Sequence, residues 1–221
     1  MAADRKASPD DRRQDLVKTV IVHAVHHRSG YNARMPALTS LSNQFLIAMP
    51  GLADPNFARS VTLLWQHNEE GAVGLVINRL SPLNLAEVLA HLEIRSARQE
   101  LAQTPVHTGG PVQPECGFVL HEPCGRFDSS LQISPELCIT TSRDILTTIA
   151  SGSGPRRAFL ALGYAGWGAG QLEQEIKHNA WLHAPADPRV IFDLPVEQRW
   201  EAAASLAGID VRMLTDYAGH A

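Results

Sequence analysis

The stretch GYAGWGAGQLEQEI, Gly163 to Ile176, decides how this chain is read. Its glycines stand at 163, 166, 168 and 170, after the apolar run RAFLALGY (157–164) and before an amphipathic segment. A strand feeding a glycine-rich turn and then a helix is the layout that cradles phosphate, because free N–H groups and the positive end of the helix dipole converge there. The spacing matches neither G-x-G-x-x-G nor G-x-x-x-x-G-K-[ST], and no Lys, Ser or Thr follows the last glycine. Glu173 and Glu175, early in the helix, would satisfy its dipole themselves and repel a phosphate. The stretch therefore reads first as a packing device: small residues let the backbone pass close beneath Trp167 while Leu172 and Ile176 dock the helix. A ligand or partner surface is the second reading.

Working outward, RAFLALGY is apolar on both faces and is expected to be a central strand. QFLIAMP reads as a first strand stopped by Pro50 and Gly51. Ser60–His67 and Ala72–Arg79 read as a hairpin across NEEG. NLAEVLAHL has Asn84 at the N-cap, Glu87 at the capping-box position and an apolar face of Leu85, Val88, Leu89 and Leu92. A turn at Gly109, Gly110 and Pro111 precedes a strand around Gly117–His121, and SLQIS and LCITT read as short strands. SRDILTTIASG reads as a helix with Ser142 as N-cap and Gly152 near its end. AWLHA and RVIFD are read as further strands, and PVEQRWEAAASLAG as a helix with Pro195 in its first turn, an inward stripe of Trp200, Ala203, Ala204 and Ala207, and Gly208 at its stop. Hairpins with interspersed helices predict an α+β domain with a largely antiparallel sheet.

At 221 residues with 44% hydrophobic residues, one domain with a real core is expected. Residues 1 to 40 carry seven Lys/Arg against four Asp/Glu, and residues 41 to 221 carry twelve against nineteen, a net charge of -7. Such an acidic domain lacks the basic stripe that displaces counterions from duplex DNA, so nucleic acid is disfavoured as a partner, a local patch at Arg156 and Arg157 apart. Residues 1 to 40 are rich in charge and turn formers and read as a disordered extension. The three cysteines, Cys116, Cys124 and Cys138, are odd in number and form no C-x-x-C pair. They support neither a disulfide framework nor a zinc ribbon, and a reducing cytoplasm fits them. No apolar run reaches the length of about 18 residues that a membrane span needs.

Individual chemistries are thinly represented. Outside the N-terminal HAVHH, which is too short to be a site, no histidine pair makes H-x-x-x-H or H-E-x-x-H, and neither metal nor cofactor is expected. His121 beside Glu122, or His107 near Gly109 and Gly110, could serve as a general base next to backbone amides; both read more simply as hydrogen-bonding residues at strand ends. There is no G-x-S-x-G. Cys124 is the thiol expected to be exposed, with Arg126 able to stabilise its thiolate. Glu173 with Lys177 is an ordinary i,i+4 helix pair and Glu69 with Glu70 a hairpin turn.

Taken together, NQFLIAMPGLADPNFARSVTLLWQHNEEGAVGLVINR, HTGGPVQPECGFVLH, GYAGWGAGQLEQEIKHNAWL and PVEQRWEAAASLAGID with the terminal GHA resemble the AlgH/YqgE family of bacterial proteins, in order, from Leu41 to Ala221. The resemblance implies a cytoplasmic α+β protein whose bifurcated, mainly antiparallel sheet forms a pseudo-barrel with packed helices. It carries over no catalytic residue, and the transcriptional-regulator label attached to some members does not itself establish DNA contact. Family members begin near the first strand, so residues 1–40 look additional and Met35 is an alternative start. Motif positions without an evident core duty are His67, Asn78, Arg79, Gly109, Gly110, His121, Tyr164, Trp167, Gly168, Gln171 and Glu175, the expected ligand or partner surface. With no catalytic constellation assembled, the expected function is a non-enzymatic regulatory or interaction protein that meets a macromolecular partner through an exposed patch including Trp167. The alternatives are a small-molecule or nucleotide-binding protein or enzyme using the glycine-rich turns, and a DNA-binding regulator.

Overall fold

The computed structural model describes residues 40–210. Residues 1–39 of the expected N-terminal extension and residues 211–221 lie outside the described residues. In chain order the strands are β1 (Gln44–Ala48), β2 (Val61–Asn68), β3 (Gly71–Val76), β4 (Leu80–Asn84), β5 (Pro105–Thr108), β6 (Val112–Glu122), β7 (Ser130–Gln132), β8 (Cys138–Thr140), β9 (Arg157–Gly168) and β10 (Trp181–Pro185). The helices are α1 (Leu85–His91), α2 (Arg143–Ser151), α3 (Gln171–Lys177), α4 (Pro188–Phe192) and α5 (Arg199–Leu206). The sheet runs β10-β1-β2-β3-β9-β6-β8-β7, with β4 on β5 and β5 on β9 as a branch. Its ladders are antiparallel except β5 on β9. The sheet curls into a half-barrel, the α+β pseudo-barrel that the family resemblance implies.

The glycine-rich stretch is not a turn. β9 continues through it to Gly168, and only Ala169 and Gly170 turn before α3. Along one edge of β9, Ala161 and Leu162 pair with β5, and Ala165 to Gly168 pair with β3. Gly163, with φ +72°, sits between the two sets and is where the sheet forks. Phe159 and Ala161 pack with Phe45, Ile47, Leu63 and Leu75, whereas Ala165 and Trp167 pack with Leu46, Leu64, Leu172 and Trp181. Residues at even spacing along a regular strand share a face. The left-handed residue at 163 adds a half-step, so one strand serves both faces.

The helices follow local chemistry. Both halves of the capping box form at α1, Asn84 Oδ1 accepting from Glu87 N–H and Glu87 Oε2 from Asn84 N–H. α2 ends on Gly152 at φ +82°. Ser142 precedes it without capping it: its hydroxyl oxygen accepts Ser129 N–H at 3.0 Å and its proton goes to Asp144 Oδ1 at 2.6 Å. RVIFD, expected as a strand, contributes to helix α4: Asp187 accepts from Arg189 N–H at 2.8 Å and Pro188 takes the first helical position, where its missing N–H costs nothing. A short apolar run carries no period that separates helix from strand. Trp200, Ala203 and Ala204 of α5 fill the inside of the half-barrel.

The cysteine reading is also corrected, since Cys124 and Cys138 form a disulfide and only Cys116 among the three is free. β6 pairs with β8 so that His121 stands opposite Cys138, and the chain returns past the cis Glu122–Pro123 bond to put Cys124 within 5.2 Å, Cα to Cα. That is ordinary disulfide reach. It depends on strand pairing, which the spacing of cysteines along the chain does not report.

A buried arginine locks α5 to the sheet. Arg199, 6% exposed, donates to the carbonyls of Leu194 and Ile77 and lies 3.5 Å from His107 Nε2. Burial, and then the Arg199 charge, push the His107 imidazole down to about 4.

Two outcomes are expected. Gly163→Ala puts a side chain at positive φ and drives its Cβ to 2.5 Å from the Gly110 carbonyl oxygen, backbone that cannot swing away. Urea titration should show a loss of more than about 3 kcal/mol, whereas Gly51→Ala, with nothing within 4 Å of the added carbon, should stay within about 0.5 kcal/mol of the parent. For His107, the unfolded chain takes up the proton first as pH falls. Its contribution, on the order of 3 kcal/mol, is therefore complete above about pH 6.5 and lost between there and about pH 4. His107→Phe should flatten that part of the stability–pH curve relative to the parent.

Candidate functional site

The residues singled out from sequence fall into separate groups. Gly109 and Gly110 meet Gly163 and Tyr164: a Cβ on Gly109 would lie 2.3 Å from Gly163 O, and one on Gly110 2.2 Å from Tyr164 O. Gly109 N–H donates to Leu162 O at 2.7 Å and its carbonyl accepts from Val76 N–H at 2.8 Å. The space a phosphate would need is filled by the chain's own backbone. These glycines are the seam where β3, β5 and β9 meet.

Trp167, Gly168, Gln171 and Glu175 form one closed network. Glu175 Oε2 accepts the indole N–H of Trp167 at 3.0 Å and that of Trp181 at 2.7 Å, and its Oε1 accepts Gln171 Nε2–H at 2.9 Å. Gln171 Oε1 accepts Gly168 N–H at 3.0 Å. Trp167 is 6% exposed and packs with Phe57 and Trp181, so its ring is not the exposed anchor expected of it. The reason is the half-step at Gly163, which turns Trp167 under α3.

His67 is an anchor. Its Nδ1 accepts Leu41 N–H at 3.0 Å, which leaves the ring proton on Nε2 to donate to Glu173 Oε1 at 2.9 Å. Partial burial works against ionisation of Glu173, but a backbone N–H, His67 and Lys177 outweigh it and hold the carboxyl below its usual range. Asn78 accepts Val61 N–H and donates to Arg59 O, while Arg79 donates to the carbonyls of Pro55 and Ala58. Together they fasten the loop between β1 and β2.

His121 lies apart from all of these, paired with Ala158 toward the other end of β9. It is fully buried, with Nδ1 3.1 Å from Pro123 O and Nε2 2.8 Å from Thr140 Oγ1. Burial lowers its pKa and the bond to the Pro123 carbonyl partly offsets this. Its neighbour Glu122 is not a catalytic partner, because Glu122 Oε1 is held by Arg157 at 2.7 Å and Arg156 at 3.3 Å. Among the described residues no group of three or more His, Cys, Asp or Glu side chains could hold a metal ion. No helix among them is long and apolar enough to cross a membrane.

Tyr164 has company that sequence reasoning missed. Trp65, at a bulge in β2, stacks on Phe118 with ring centroids 5.5 Å apart, and Tyr164 packs edge-on to Phe118 at 5.8 Å. All three rings are half-buried. Only the pairing of β2 and β6 around β3 and β9 brings them together. A surface groove of about 780 Å³ lies elsewhere, between α1 and residues 93–101, and includes none of the positions chosen from sequence.

Glu175→Ala removes the acceptor of two nearly buried indole N–H groups. A loss of about 2–4 kcal/mol in urea unfolding is expected, with a shifted tryptophan emission, and Glu175→Gln should retain a good part of the stability.

Comparison with known proteins agrees with this architecture. The family described as AlgH-like matches residues 45–212. A UPF0301 protein of Methylococcus capsulatus is 56% identical over 180 residues, covering 81% of this chain and 96% of that protein. One from Thioalkalivibrio sulfidiphilus is 54% identical over 187 residues, 85% and 100% of the two chains. The solution structure of the AlgH protein from Pseudomonas aeruginosa superposes with a TM-score of 0.69 at 51% identity, covering 86% of this chain and all of that one. A crystal structure of a protein from Corynebacterium diphtheriae shares the fold at 21% identity, with a TM-score of 0.58 over 80% of this chain and 86% of its own. The chain belongs to the AlgH-like family.

Proposed function

We propose that this chain is a non-enzymatic regulatory or interaction protein that holds a protein partner on the face formed by Trp65, Phe118 and Tyr164. The observation that carries this reading is the half-buried aromatic cluster itself, drawn together from β2, β9 and β6 across the curled sheet, with each residue partly open to solvent. Large, rigid side chains of this kind supply contact area at little entropic cost and recur as anchors of interfaces. An acidic domain and partly exposed aromatic residues favour a segment bearing apolar and cationic side chains.

The alternative of a nucleotide or small ligand held by the glycine-rich turns finds little support, because backbone fills the space beside Gly109, Gly110 and Gly163, and Gly166 and Gly168 belong to strand β9 and not to a turn. Direct DNA binding finds none in the charge of the domain. The cytoplasmic placement belongs to the same proposal, and the Cys124–Cys138 bridge removes the cysteine argument for it.

A photoreactive residue at Gln66, exposed beside Trp65, should give a discrete adduct in the native host that disappears with Tyr164→Ala. The same adducts from a probe at Leu206, 42% exposed on α5, would show that the aromatic face is not what selects the partner.

A further inference from the structure

We propose that Ser130 is a nucleophilic acceptor for acyl groups delivered by activated esters, set up by a hydroxyl relay through Thr140 to the buried imidazole of His121. This goes beyond the interaction reading and does not depend on it. Ser130 stands on the last strand of the sheet, exposed, directly across from the fully buried Thr140. The Ser130 and Thr140 hydroxyl oxygens are 2.5 Å apart, and Thr140 Oγ1 is 2.8 Å from His121 Nε2.

The direction of the relay follows from its far end. The Pro123 carbonyl can only accept, so His121 Nδ1 carries the ring proton. In the neutral ring Nε2 then offers a lone pair, Thr140 must donate to it, and Ser130 donates to Thr140. Burial favours that neutral ring. The start of β7 is clamped, with Ser129 N–H donating to Ser142 Oγ at 3.0 Å and Thr141 Oγ1 to Ser129 Oγ at 3.0 Å. Thr141 N–H reaches Ser129 O and Ile133 N–H reaches Leu137 O, so the odd positions of this strand face β8. By antiparallel alternation the Ser130 N–H points away from β8, at an edge that no other strand among the described residues covers, where it can meet a developing oxyanion.

In the acyl transfer, Ser130 Oγ bonds to the ester carbonyl carbon and the bond from that carbon to the leaving oxygen breaks. The Ser130 proton passes to Thr140 Oγ1 as the Thr140 proton passes to His121 Nε2, and the imidazolium returns a proton along the same path to the leaving oxygen or to water. The product is an O-acyl serine and a free alcohol or phenol.

The test uses the full chain with p-nitrophenyl acetate, following nitrophenolate release and mapping acetylated peptides by mass. About one equivalent on Ser130 is expected, absent in Ser130→Ala, which also measures the background on lysine amines. Thr140→Val, close in shape but without the hydroxyl, and His121→Gln should each slow the acylation by roughly tenfold or more, with folding checked by circular dichroism. Three results would overturn the proposal: no Ser130 adduct above background, acetylation spread over many serines as in urea-unfolded protein, or a folded Thr140→Val as fast as the parent. Should neither relay variant fold, the site mapping in the parent protein against the unfolded control decides by itself.

Discussion

The close passage of two backbones, Gly109–Gly110 against Gly163–Tyr164, is the constraint on which the rest of the structure depends. No Cβ fits between them, since added carbons would lie 2.2 to 2.5 Å from carbonyl oxygens across the seam. Because they close to that distance, β9 can leave β5 and take up β3 on the same edge. The fork lets one strand line both the inside of the half-barrel and the outer cluster beneath α3. What looks in the sequence like a worn phosphate loop is the hinge of a sheet.

The buried polar groups answer to the same geometry. Where β3 ends beside the seam, its last carbonyls would be stranded under α5; Arg199 meets the Ile77 carbonyl and stacks near Phe159 and His107. Burying a guanidinium is costly, and it is tolerated here because carbonyl dipoles converge on it and its neighbour His107 stays neutral. On the opposite rim, Glu122, 2% exposed, is bound by Arg157, which also grips Asp193 and lies over Phe192. Each charge taken out of water thus ties a helix or loop to an edge of the sheet.

Much of the fold was legible in the sequence wherever the cause is local. The Asn84 and Glu87 capping box, Gly152 at the end of α2, the β2–β3 hairpin and the double-sided strand at 157–164 follow from side chains within a few residues of one another. The readings that failed depended on distant partners. Trp167 was expected outside because nothing in GYAGWGAG announces a reversal of strand parity, which φ at Gly163 alone creates. Glu173 pairs with His67, 106 positions away, as well as lying near Lys177. Cys124 and Cys138 become neighbours only once β6 and β8 pair. The aromatic group of Trp65, Phe118 and Tyr164 had one member among the residues chosen from sequence, since its other two lie on strands brought together by the fork.

What separates a structural network from a reactive one in this molecule is where its last donor points. Around Glu175 two indole N–H groups and the Gln171 amide converge on one carboxylate, and Gln171 in turn accepts Gly168 N–H, so the network ties strand to helix. The Asn78 and Arg79 contacts end on loop carbonyls, and the His67 pair ends on a helix carboxylate. The bonds through Thr140 differ. They begin at an imidazole whose burial favours its neutral form, run outward through two hydroxyls and end on an exposed residue of β7, the last strand of the sheet among the described residues. A proton can move inward along that line while a new bond forms at its outer end. The closed networks have no such end, and this is why residues that resemble a site in sequence act as fasteners while an unremarked serine is left facing solvent.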